Sequence, residues 1–151
     1  MARTKGFSVR VDGLKDLDQA LKKLPRATAK SVGRRTLMKA AQPIAEAGRA
    51  NAPEREGNLK KSYGVGTKLT KRQKRMNKKE SPVEVFVGPN DPAAVQTEFG
   101  NQHQAAEPHL RPAWDAEKQP TLERIKDGLW VEISKAAARL ARKAAKLAKG
   151  K

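Results

Sequence analysis

The stretch TLERIKDGLWVEISKAAARLARKAAKL (residues 121–147) sets Leu122, Ile125, Leu129, Ile133, Ala136, Leu140, Ala144 and Leu147 at steps of three and four. That is the repeat of one helical face, so it predicts a long amphipathic helix from about Thr121 to the end of the chain. Its last part carries charge on the complementary face: residues 135–151, KAAARLARKAAKLAKGK, hold seven basic residues and no acidic one. A second run of this kind, KLTKRQKRMNKK, occupies residues 68–79. The two runs contain fourteen of the 33 basic residues, which leaves +3 on the remainder of a chain whose formal charge is +17. Charge concentrated at two places points to a polyanionic or strongly acidic partner.

At 151 residues the chain has the length of one ordinary domain, but only 37% of it is apolar and 4% aromatic. Many of the apolar residues are alanines. So thin a core is commonly completed by association, and the composition predicts an assembly component rather than a self-sufficient monomer. The absence of cysteine excludes disulfides, thiolate metal sites and cysteine nucleophiles. MARTKGFSVRVDG at the start has no apolar run of signal-peptide length, and no segment approaches the roughly 20 apolar residues that span a bilayer. These features predict a soluble protein made in a cytosol.

Upstream of the final helix, Phe7, Val9 and Val11 alternate with polar residues as in a half-buried strand, and Asp12-Gly13 turns the chain. Leu14, Leu17, Leu21 and Leu24 predict a short helix ended by Pro25. A longer helix follows over residues 26–51, with a kink or break expected near Gln42 because Pro43 removes a backbone donor. Residues 62–67 and 82–87 read as strands, so the first basic run becomes a long, projecting inter-strand loop. Residues 93–99 are ambiguous, and residues 100–108 read as a loop. The fold class is therefore α+β: a small antiparallel sheet packed with helices and a long C-terminal amphipathic helix. Residues 1–134 form a single domain with the basic loop at 68–79, and residues 135–151 form a basic helical extension.

Converging acids, bases and nucleophiles are missing, so the chain reads as non-enzymatic, with no catalytic residues, metal or cofactor. His103 and His109 lie near Glu98 and Glu107, but their spacing matches no common ligand pattern, and both read as exposed loop histidines. No phosphate-binding glycine loop or nucleophile elbow is present. The candidate contacts to DNA or an acidic partner are Lys68, Lys71, Arg72, Lys74, Arg75, Lys78 and Lys79 in the first run, and Arg139, Arg142, Lys143, Lys146 and Lys149 in the second. Neither run has an aromatic to stack on unpaired bases, so any nucleic-acid contact is to the backbone and independent of sequence.

Three segments carry a resemblance: VDGLKDLDQALKKL (residues 11–24), NAPEREGNLKKS (residues 51–62) and VFVGPNDPAAVQTEFGNQHQAAEPHLRPAWD (residues 85–115). In this order and spacing the chain resembles the tail-completion and head-tail connector proteins of long-tailed double-stranded DNA bacteriophages, similar to the lambda-type minor tail protein Z. The most specific part is Glu98-Phe99-Gly100 followed by residues 108–114, PHLRPAW. Three positions depart mildly from the pattern, which more usually has Thr for Glu56, Arg for Lys60 and Phe for His109. The basic tail after Ser134 lies outside it.

The resemblance implies a virion structural protein of the neck, synthesised in the host cytoplasm. It would form a ring, six-fold in the simplest case, between the head connector and the tail tube or tail terminator. Glu98, Phe99, Leu110, Arg111 and Trp114 are then core or subunit-contact anchors, with Glu98 and Arg111 pairing within or across subunits, and Pro108 and Pro112 stiffening the start of a helix. The basic runs would face channel DNA or acidic neighbours. Two rival readings remain open at this point: a cellular nucleic-acid-binding protein using the basic C-terminal helix, and a tail-assembly chaperone absent from the virion.

Overall fold

Two long helices, α2 (Arg26–Asn51) and α6 (Leu110–Lys149), form the frame of the computed structural model, which describes residues 13–55 and 57–150. Their contacts run in opposite order. Asn51 Nδ2 donates to the His109 carbonyl, Thr121 Oγ1 to the Ala40 carbonyl, Arg35 pairs with Glu132, and Val32 packs with Ile133. The helices are therefore antiparallel. Where they meet, small residues face one another, Thr36 and Ala40 on α2 against Gly128 and Thr121 on α6, which lets the two backbones approach closely. Helix α1 (Leu14–Lys22) covers one end of the pair. There Leu17, Val32, Ile133 and Ala136 make an apolar cluster, joined by Ala20, Leu21, Leu24 and Leu129.

The other end is built from α3 (Asn58–Lys61), β1 (Tyr63–Gly66), β2 (Phe86–Pro89) and α5 (Ala93–Phe99). The strands form a two-stranded antiparallel sheet in which Tyr63 faces Pro89 and Gly66 faces Phe86. Ala52, Leu59, Tyr63 and Ala94 bury a second apolar cluster, against which Leu110 packs. The fold is α+β, mostly helical, with a small antiparallel hairpin and a long C-terminal helix. Among the described residues no helix is long and apolar enough to cross a membrane. The strand expected at Phe7, Val9 and Val11 lies outside the described residues.

Several boundaries differ from the sequence-based expectation. The final helix starts at Leu110, eleven residues before Thr121, and runs on for 40 residues, roughly 60 Å at 1.5 Å per residue. Pro112 falls in the first turn, where its missing N–H would have no intrahelical partner, and Pro120 releases the carbonyl of exposed Ala116. Likewise Pro43 does not break α2, because the carbonyl it releases belongs to exposed Lys39. The second strand begins at Phe86 rather than Pro82. Glu84 accepts hydrogen bonds from the backbone N–H groups of Glu80 and Ser81, which holds the preceding segment in a turn. Residues 93–99, ambiguous in sequence, are helical.

The first basic run, between the two strands, contains a short helix. This helix, α4 (Lys71–Met76), is held by a capping box, in which Thr70 Oγ1 accepts from Gln73 N and Gln73 Oε1 accepts from Thr70 N. With no buried residue, α4 depends on that cap. Thr70→Ala is expected to cost about 1 kcal/mol locally. Amide exchange over residues 71–76 should speed up severalfold while the melting temperature stays within about 1 °C; unchanged protection would show that the cap does not hold this turn.

Candidate functional site

Glu98 is the last-turn carboxylate of α5, and it is 5% exposed. The chain turns at Gly100, whose positive φ of 74° and close backbone approach to Ala106 admit no Cβ, and returns so that α6 begins directly over Glu98. Oε2 accepts from the backbone N–H of His109 at 2.8 Å and of Leu110 at 2.9 Å, while Oε1 accepts from the backbone N–H of Arg111 at 3.0 Å. These are donors of the first turn of α6 that no helical carbonyl can reach. The carboxylate thus caps the helix from outside it and sits at the positive end of its dipole. Arg111 closes the arrangement: Nε donates to Oε1 at 2.9 Å and Nη2 to the Glu98 carbonyl at 2.8 Å. Burial alone would raise the Glu98 pKa, but the three backbone donors and the guanidinium outweigh it and hold the group at about 2.

Behind this latch lies His109, 1% exposed. The sequence placed it in an exposed loop; instead its ring is sealed between the latch and the sheet, edge-on to Tyr63 with ring centroids 5.6 Å apart. Burial, reinforced by the Glu98 charge, pushes the Tyr63 phenol well above its usual range, so the hydroxyl keeps its proton, and it is hydrogen-bonded with His109 Nδ1. His109 Nε2 is buried with no hydrogen-bond partner among the described residues. His103, the other histidine, is exposed. Tyr63 and His109 were missed as partners. The usual Phe at position 109 in the resembled pattern was the available signal that this position is buried.

The outer face of the latch is apolar and open. Phe99 is 64% exposed and lies under the Arg111 guanidinium, 4.7 Å from ring centroid to Cζ. Trp114, one turn beyond Arg111 on α6, is 52% exposed, and Val95, one turn before Phe99 on α5, is also exposed. Of the five anchors named from the sequence, Glu98 is buried, Leu110 is half-buried against the second cluster, and Arg111, Phe99 and Trp114 lie outward. The Glu98–Arg111 pair is made within one chain.

The two basic runs occupy different settings. Lys74 and Lys79 of the hairpin line an open cleft of about 440 Å³ together with Arg34 of α2, Leu69, Val83 and Phe86. Arg34 joins this surface only through the fold. Lys68, Lys71, Arg72, Arg75 and Lys78 are on the exposed parts of the same hairpin. Arg139, Arg142, Lys143, Lys146 and Lys149 lie on the end of α6, where residues 141–150 are all exposed and reach past the start of α2. Among the described residues, no three or more His, Asp or Glu are grouped so as to hold a metal ion.

A family model described as "Bacteriophage HK97-gp10, putative tail-component" matches residues 15–100, more than half of the chain. The match ends at Gly100, so it includes Glu98 and Phe99 and stops short of α6. No curated protein and no solved structure matches.

Proposed function

We propose that this chain, which belongs to the HK97-gp10-like family of bacteriophage tail components, is a non-enzymatic virion subunit of the head-tail junction. Copies associate side by side into a closed ring that joins the head connector to the tail tube. The observation that carries this reading is the exposed apolar patch of Val95, Phe99 and Trp114 arranged around the Glu98–Arg111 latch. Aromatic residues and arginine are the types that anchor protein interfaces, and here they stand on rigid helices. The latch sets the angle between α5 and α6, and so the shape of the patch offered to a neighbour. A head-to-tail contact closes into a ring when its rotation allows, and the thin core gives each subunit reason to bury more surface.

The test is assembly. Purified protein is expected to form annular particles by negative-stain electron microscopy, with a mass that counts the subunits. Val95→Glu with Trp114→Glu should leave monomers of unchanged helicity and a melting temperature within a few degrees, because both positions are exposed. Mass analysis of virions should find the chain in a small fixed copy number. A wild-type chain that stays monomeric at high concentration, or that is absent from finished particles, would overturn the reading.

A further inference from the structure

We infer that the overhanging end of α6 is a contact for the phosphate backbone of duplex DNA, and that the equally basic hairpin around α4 is not. The inference rests on the tail-component reading only for the choice of duplex DNA as the polyanion within reach. At 100° per residue, Arg139, Arg142, Lys143, Lys146 and Lys149 fall within an arc of about 120° and span about 15 Å of helix. A duplex presents about nine phosphate charges over that length. Among the described residues no carboxylate forms an ion pair with any of these five side chains, whereas Lys135, one turn earlier, is held by Glu132 at 3.5 Å. Cations three and four residues apart on one face repel each other, and a polyanion relieves that repulsion. The helix needs no packing to persist, since it is rich in alanine and its cations complement the C-terminal dipole.

A protein partner is a poorer fit to this surface. Interface cores are built on aromatic and bulky apolar anchors, and beyond Ala136 the helix offers only Leu140 and Leu147 among alanines. The hairpin differs in its cleft, which combines apolar residues with a fixed carboxylate. Its cleft places Glu84 among Arg34, Lys74 and Lys79, and Leu69, Val83 and Phe86 line it. Glu84 accepts from the N–H groups of Glu80 and Ser81 and from Asn77 Nδ2, so its carboxylate is fixed in place. That carboxylate offsets part of the charge of Arg34, Lys74 and Lys79, so a phosphate gains less at this cleft than along the row on α6.

Fluorescence anisotropy with a labelled 20-base-pair duplex, titrated with the full chain at salt concentrations from 50 to 200 mM, tests this. The variants are Arg139→Gln, Arg142→Gln, Lys143→Gln, Lys146→Gln and Lys149→Gln combined, against Lys71→Gln, Arg72→Gln, Lys74→Gln and Arg75→Gln combined. Glutamine keeps helix propensity, and circular dichroism verifies that the α6 end stays helical. Neutralising five contacts is expected to flatten the slope of log affinity against log salt by about 4 and to weaken binding at least 100-fold at low salt. The hairpin variant should retain the wild-type slope within about one, and a duplex of unrelated sequence should bind equally well. Loss of slope in the hairpin variant alone, no binding at 50 mM salt, or equal competition by polyglutamate would overturn the inference. Electron microscopy of the same samples separates the two readings: absent rings with an intact slope defeat the junction role, and normal rings with no difference between variants defeat this one.

Discussion

Replacing Glu98 by glutamine is expected to remove about 3 kcal/mol of folding stability at pH 7 and to lower the melting temperature by roughly 10 °C. The carboxyl group titrates at about 2 in the folded chain against 4.5 for the ordinary group. A depressed folded value contributes stability that is fully present above the unfolded value, and this is lost as pH falls from 4.5 through 2. At 1.36 kcal/mol per unit that contribution comes to about 3 kcal/mol. Glutamine fills the same space but accepts with one oxygen. Three α6 backbone donors and the Arg111 guanidinium would then compete for it inside a buried site. Urea denaturation of both proteins at pH 7 and pH 3 checks the sign as well as the size. The gap should shrink by about half at pH 3, where the native carboxylate has lost much of its advantage. Equal denaturation midpoints at pH 7 would show that the latch does not hold α6.

Two glycines of α2 should respond in opposite directions to the same substitution. In a helix interior Gly→Ala gains roughly 0.5–1 kcal/mol from reduced unfolded-state entropy. At Gly33 the new methyl would sit 3.9 Å from Val83 Cγ2, an ordinary contact, so Gly33→Ala should raise the melting temperature by a few degrees. At Gly48 it would sit 2.4 Å from Tyr63 Cε1 and 2.8 Å from Cζ. The Tyr63 ring is buried and tied through its hydroxyl to His109, so it cannot swing aside. Overpacking of this kind costs about 1–3 kcal/mol or more and exceeds the helix gain. Gly48→Ala should therefore melt below wild type, with a net loss of about 2 kcal/mol. A stabilised Gly48→Ala protein would mean that Tyr63 does not pack on α2 as described.

The apolar stripes of α1, α2 and α6 could be read by eye, since a repeat of three and four residues is a property of the chain itself. Their ends were harder. Pro120 looks like a barrier to a helix until it is known that the carbonyl it releases belongs to exposed Ala116. Glu84 explains why β2 starts late, and nothing in the run of alternating valines signals that its carboxylate organises the turn before it. The Glu98–Arg111 pairing was anticipated from the resemblance. The capping of the α6 amides by Glu98 was not, because the carboxylate and its donors are separated by a loop whose path depends on Gly100.

From the sequence alone followed the α+β class with a small antiparallel sheet and a long C-terminal helix, the absence of cysteine chemistry, the concentration of charge in two runs and the kinship with phage tail components. These depend on composition, local spacing and motif order, which are carried by neighbouring residues. Only the tertiary structure decided that Glu98 closes the start of α6, that His109 is buried against Tyr63, that Gly48 cannot be larger, and that Arg34 joins the hairpin cleft while the end of α6 stands apart. Each of those is a contact through space between residues distant in the chain. Its energy depends on where the partner group finally lies.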